Sequence, residues 1–134
     1  LRFIFDTNVL VSALLLEEST SRRAFNLALE RGKILLSFPV LAELNEVLGR
    51  QQFRKYVDED DVRRFISALV DEAEWVEVRA KVVASRDPKD DKFLELAVSG
   101  RATHIISGDK DLLTLSPFQG TPILTPDAFL ERVR

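Results

Sequence analysis

Four acids stand in segments far apart in the chain: Asp6 in Phe5-Asp6-Thr7-Asn8, Glu43 in Val40-Leu41-Ala42-Glu43-Leu44, Asp91 in Asp87-Pro88-Lys89-Asp90-Asp91-Lys92, and Asp109 in Ser107-Gly108-Asp109-Lys110-Asp111. Carboxylates crowded together raise one another's pKa unless something neutralises them. A hard divalent cation does so. With no Cys and a single His, the side chains on offer favour Mg²⁺ or Mn²⁺ over Zn²⁺. Such an ion, held by two or three carboxylates, activates water and steadies charge at a phosphodiester. Whether this chemistry is available depends on whether the fold brings the four acids to one place.

The elements between them predict that it does. The apolar run Phe3–Phe5 suits a strand buried on both faces, and Thr7 suits the N-cap of a helix from about Asn8 to Leu16. A second helix is expected over Ser21–Arg31, closed by Gly32, and a second buried strand over Lys33–Ser37. Pro39 then opens a helix ending near Gly49, and 53–73 reads as helical. Glu74–Val78 alternates like an edge strand. Asp87–Asp90 is a turn before a helix over Asp90–Ser99, closed by Gly100. Thr103–Ser107 and Pro122–Leu124 are further strands, and Thr125-Pro126 starts the last helix. Strands separated by helices imply crossovers, a parallel sheet of about five strands and helices on both faces, an α/β fold of three layers.

In that frame Asp6 and Asp109 follow the carboxyl ends of buried strands, where open α/β sheets hold ligands. Glu43 borders the apolar stripe of its helix, about 40° from Val47, and Asp91 lies about 20° from Val98. Asp90 falls on the apolar side and reads as a cap, so the helical wheel selects Asp91 as the third acid. Each acid also has a plain explanation: turn chemistry for Asp109 and Asp111, favourable helix-start charge for Asp87, Asp90 and Asp91, a solvated face for Glu43. Four accidents sharing one edge explain the pattern less well than one site.

The 134 residues suit a single domain, 1–134, with an ordinary globular composition, 46% hydrophobic and 31% charged. A net charge of -3 argues against nucleic-acid binding through overall positive potential, but not against a local basic rim around an acidic pocket. Arg86, Lys89, Lys92 and Lys110 flank the acids and could steer a phosphate backbone. The longest apolar stretch, Val9–Leu16, is far too short to span a membrane, and no export signal is visible. Cysteine-free composition is compatible with a cytoplasmic protein. His104, the sole His, sits within a predicted strand and assembles no Ser–His–Asp set. Ser107-Gly108-Asp109 offers an acid where a phosphate-binding loop would offer Lys.

Taken together, Phe5-Asp6-Thr7-Asn8-Val9-Leu10, Glu43 in its helix, Asp87-Pro88-Lys89-Asp90-Asp91 with Phe93-Leu94-Glu95-Leu96-Ala97, and Ser107-Gly108-Asp109-Lys110-Asp111-Leu112-Leu113 resemble a PIN domain. The resemblance runs from Arg2 to about Phe129 and is strongest to the VapC-like toxins of toxin–antitoxin pairs. It implies a sheet of order 3-2-1-4-5 and a Mg²⁺- or Mn²⁺-dependent endoribonuclease. It also implies Asp6, Glu43, Asp91 and Asp109 as catalytic metal ligands. Thr7 and Asn8 would orient the first carboxylate, with Asp111 auxiliary. RNA as substrate, a small antitoxin as partner and a homodimer follow from the same resemblance. Two other classes compete. A haloacid-dehalogenase-like phosphatase needs Asp where Asn8 stands, and a receiver-like phosphotransfer module needs an Asp and a Lys at strand ends that cannot be placed. A PIN-like fold kept for protein binding, with weak catalysis, is the non-enzymatic alternative.

Overall fold

The structure, a computed structural model, describes residues 1–133; Arg134, the last residue of the expected 1–134 domain, lies outside the described residues. Five strands, β1 (Arg2–Phe5), β2 (Lys33–Leu36), β3 (Glu74–Trp75), β4 (His104–Ile106) and β5 (Ile123–Leu124), form one parallel sheet in the order β3-β2-β1-β4-β5. The expected three-layer α/β/α architecture is what forms. Eight helices connect the strands: α1 (Thr7–Leu15), α2 (Thr20–Arg31), α3 (Phe38–Leu48), α4 (Gln51–Arg54), α5 (Glu59–Glu72), α6 (Asp91–Gly100), α7 (Lys110–Leu113) and α8 (Pro126–Val133).

The alternation of side chains along β1 sorts the helices onto the two faces. Phe3 packs edge-on against Phe129 of α8, centroids 5.2 Å apart, and Phe5 against Phe25 of α2 at 6.0 Å. Phe25 in turn meets Phe65 of α5 at 5.1 Å. Helices α2, α5 and α8 therefore cover the face to which Phe3 and Phe5 point. Ile4 and Leu35, on the other face, are fully buried, and α6 lies against β1 and β2 there. Burying Phe3, Phe5, Phe93 and Phe129 alone removes enough apolar surface to contribute on the order of 2 kcal/mol per ring.

Four local expectations are corrected. The N-cap of α1 is Asp6, whose side chain accepts from the Val9 amide; Thr7 is already helical. The 53–73 segment is two helices, because Asp58 accepts from the Asp60 amide at 2.8 Å and starts α5 afresh, with Glu59, Asp60 and Asp61 in its first turn. The edge strand is two residues, not Glu74–Val78. Finally, Gly100 does not end its helix: it is the buried last helical residue, and Arg101 takes the left-handed conformation at φ 54°.

Gly100 is required by proximity. A Cβ there would stand 2.8 Å from Leu35 Cδ1 and 3.1 Å from Val76 Cγ2. Leu35 is fully buried and cannot withdraw. Overpacking of this kind costs about 1–3 kcal/mol, partly offset by roughly 1 kcal/mol of helix propensity. Gly100→Ala is expected to lose about 1 kcal/mol net and lower the thermal midpoint by roughly 3–5 °C, read by calorimetry. An unchanged midpoint would show that the Leu35–Val76 contact yields.

Candidate functional site

The sheet ends on a row of polar residues. Phe5 is in register with Ile106, and the Asp6 amide bonds the Ile106 carbonyl at 3.0 Å. Carried one residue past the strands, the register sets Ser37, Asp6, Ser107 and Thr125 side by side. Three of them cap helices: Ser37 accepts from the Val40 amide (3.4 Å), Asp6 from Val9 (2.8 Å) and Thr125 from Ala128 (3.2 Å). The fourth, Ser107, donates its hydroxyl to Asp6 Oδ2 and accepts from the Asp109 amide at 2.9 Å. Ser107 thereby ties the first acid to the backbone of the last.

Asp6 is 4% exposed, so both its oxygens are held by protein in a dry setting. Burial raises its pKa above the ordinary carboxylate value, the Ser107 hydroxyl and the Val9 and Gly108 amides pull it back, and Asp109 pushes it up again. Asp109 caps α7 through the Asp111 amide at 2.8 Å. Asp111 lies in the first turn of α7, its carbonyl accepting from the Thr114 hydroxyl at 3.0 Å. Thr7 is buried with its hydroxyl unpartnered, while Asn8 is exposed.

Asp91 is buried and held by backbone amides. Its Oδ1 accepts from the amides of Ala84 (3.2 Å) and Ser85 (2.7 Å). Asp91, Glu95 and Ser99 form a stripe at four-residue spacing along α6, with Glu95 accepting from Val82 (3.1 Å) and Ser99 from Arg79 (3.1 Å) and Ala80 (3.2 Å). This stripe does for 79–85 what a neighbouring strand would do, satisfying amides that no sheet pairs. Asp90, which the helical wheel made a cap, makes no capping bond. A short 3-10 turn, Pro88–Asp90, offsets it from the α6 wheel, and one of its oxygens is buried without a partner. Burial, first, and then the charges of Asp109, Asp87 and Asp6 push the Asp90 carboxyl up to about 7.

Glu43 is engaged by Lys92, an ion pair from α3 to α6 in which both side chains are about a quarter exposed or less. Burial pulls the Lys92 pKa down, and its ammonium also lies 5.7 Å from the Phe93 ring centre. Lys92 is therefore committed to Glu43. Arg86, Lys89 and Lys110 are exposed and form no ion pair among the described residues. His104 packs against Phe3 and Phe129 and meets the Thr103 hydroxyl at 2.9 Å.

The acids are held differently: Asp90 feels the charges of Asp109 and Asp6, Glu43 pairs with Lys92 and Asp91 accepts from the 84–85 amides. Among the described residues no three Asp, Glu or His side chains stand close enough, as they are, to hold one ion. The donor set fits a hard divalent ion. It is all oxygen, and it includes one orphaned carboxylate oxygen and a buried acid whose ionised form lacks a cation. A recess of about 440 Å³ opens beside Asp109, lined also by Asn8, Ser12, Thr20, Ser21 and Asp127. The larger groove between α2 and α8, about 570 Å³, is lined by none of Asp6, Asp90 and Asp109.

Sequence reasoning passed over Ser107, and of the pair Asp90-Asp91 it set Asp90 second as the third acid. A hydroxyl as the last residue before Gly108-Asp109 was the available signal for Ser107. For Asp90, it was the Pro88 turn, which breaks the helical phase. Ser107→Ala removes the hydroxyl that holds Asp6 Oδ2 and is expected to lower metal affinity about 10–100-fold, the scale of lost outer-sphere support, as read by calorimetric titration with Mn²⁺.

The PIN domain family model matches residues 2–111. No curated protein sequence matches the chain. Among solved structures, the chain is similar to PAE2754 from Pyrobaculum aerophilum, with TM-score 0.67 and 14% identity over 98% of this chain and 88% of that one. It is also similar to VapBC2 from Rickettsia felis, crystallised with a DNA fragment from their promoter, with TM-score 0.62 and 13% identity over 92% of this chain and 97% of that one.

Proposed function

The chain belongs to the PIN domain family, whose members are generally nucleases, and from that premise we propose that it is a divalent-metal-dependent endoribonuclease of a toxin–antitoxin pair. The observation that carries this reading is the buried Asp6 carboxylate, fixed between the Ser107 hydroxyl and the Val9 amide, whose pKa Asp109 helps to raise, together with the unpartnered oxygen of Asp90, which feels the charges of both. Asp6, Asp90 and Asp109 would hold Mg²⁺ or Mn²⁺, with Asp90 taking the place first given to Asp91. When bound, such an ion lowers the pKa of coordinated water and offsets charge on the phosphodiester.

The chain's own residues supply the rest. Ser107 keeps Asp6 from rotating, so one carboxylate edge stays at a set angle to the sheet. Glu43, once released by Lys92, would accept a proton or add a ligand, and the freed ammonium would meet a phosphate oxygen. Arg86, Lys89 and Lys110 give the acidic edge a cationic rim toward the RNA backbone. Thr7, Asn8 and Asp111 line the approach as auxiliaries. The reading includes a single domain acting in the cytoplasm, a homodimer and a small antitoxin covering the site. Among the described residues no helix is long and apolar enough to cross a membrane.

Labelled structured and unstructured RNAs, incubated with and without Mn²⁺, test the proposal: cleavage is expected with Mn²⁺ and absent in chelator. Intact RNA under both conditions would sink it. The Glu43–Lys92 pair is the observation favouring the rival, a PIN-fold interaction module of weak catalysis. Mn²⁺ titration separates the two, since a scaffold has no need of the ion.

A further inference from the structure

Phe38 is 77% exposed, although both its neighbours in the α3 cap, Ser37 and Val40, are buried. It is the first residue of α3, and its backbone is fixed on both sides: Ser37 caps the Val40 amide and Pro39 follows at once. A single exposed ring is ordinary on protein surfaces. Its position is what distinguishes this one. With Phe3 level with Ile34, the register carried one residue past the strands sets Ser37 beside Asp6, so Phe38 opens α3 immediately beyond the sheet end at which Asp6 stands. On the other side of Asp6 stand Ser107, Gly108 and then Asp109. A phosphodiester reaching Asp6 and Asp109 would carry its neighbouring nucleotide over the start of α3.

We propose that Phe38 is a stacking platform for an unpaired nucleobase of the RNA engaged at the acidic edge, which makes single-stranded RNA the preferred substrate. This rests on the ribonuclease reading and deepens it. Stacking suits the site because every base has a π-face, so one rigid ring binds without demanding a sequence. The surroundings favour a base over a protein partner. The other exposed positions of α3 are Pro39, Ala42, Asn45 and Glu46, small or polar, and Trp75, half exposed opposite Leu36, is a second aromatic ring near this strand end.

The test compares an unstructured labelled 10-mer RNA with the same ribose-phosphate chain lacking bases, by fluorescence anisotropy in Ca²⁺ and in EDTA, for the wild type, Phe38→Ala and Phe38→Trp. Wild type and Phe38→Trp are expected to bind the base-bearing strand roughly 5- to 100-fold more tightly than the abasic one, the range one stacked base gives. Phe38→Ala should bind both strands alike while its Mn²⁺ titration is unchanged. Three results overturn the proposal: Phe38→Ala discriminating as well as wild type does, no RNA binding by wild type in either buffer, or Phe38→Ala changing only the oligomeric state or the capture of a protein partner. Wild type that cuts RNA while Phe38→Ala discriminates normally ends the stacking role alone. Wild type that binds as proposed but never cuts ends the nuclease reading alone.

Discussion

Replacing Asp6 by Asn is expected to cut Mn²⁺-dependent RNA cleavage by roughly 10²–10³-fold, the scale of losing one preorganised electrostatic group, while leaving the chain folded. Folding survives because Asn can still accept from the Val9 amide, and the Ser107 hydroxyl can turn to accept where it donated. The ionised form of Asp6 is costly in the metal-free protein. Its pKa is raised in the folded state, so its contribution to stability is present below the ordinary carboxylate pKa and lost as pH rises through the raised one. At neutral pH the variant should therefore melt no lower than wild type in EDTA, and Mn²⁺ should no longer raise its midpoint. A variant that cleaves as wild type does removes Asp6 from the site. One that unfolds says only that the cap was broken, and Asp6→Ser, which also caps, then decides.

Asp90 and Asp91 should separate cleanly in opposite directions. For Asp90→Asn we expect Mn²⁺ affinity and cleavage to fall at least tenfold and metal-free stability to rise. The sign follows from the pKa, pushed up from 3.8 to about 7 by burial and by Asp109, Asp87 and Asp6. What the carboxyl contributes is intact below about 3.8 and lost as pH climbs through about 7, so the Asn variant gains over wild type across that window and holds the gain above it. Allowing for solvent screening, the gain is on the order of 1–2 kcal/mol at pH 8. Asp91→Ala instead strips the acceptor from the Ala84 and Ser85 amides and should cost about 1–3 kcal/mol, with Mn²⁺ affinity kept. Urea melts at pH 4 and pH 8 with parallel titrations read both. If Asp91→Ala loses the metal and Asp90→Asn keeps it, the assignment is reversed.

The architecture was legible because its signals are strong and local. Phe3–Phe5 and Ile34–Leu36 are unbroken apolar runs, and the intervening helices carry clear stripes. Asp6 and Asp109 could be set at the sheet end from sequence because Asp6 follows directly on β1 and Asp109 lies three residues past β4. Asp90 could not, because a wheel assumes one continuous phase, and the Pro88–Asp90 turn takes it out of the phase of α6. Helix boundaries slipped where two residues competed for one cap, as Asp6 and Thr7 do; the shorter reach of the Asp carboxylate to Val9 decides it. The Glu43–Lys92 pair joins residues 49 apart in the chain, and no periodicity announces a contact of that kind.

The outermost strands of the sheet, Glu74–Trp75 and Ile123–Leu124, are two residues each. So short a rim offers a neighbouring chain almost no unsatisfied amides or carbonyls to zip onto. The proposed homodimer is therefore expected to meet through helices and not by merging two sheets into one continuous layer. Swapping Arg or Glu residues on helical flanks, not proline scanning of the margins, is the way to break such a pair.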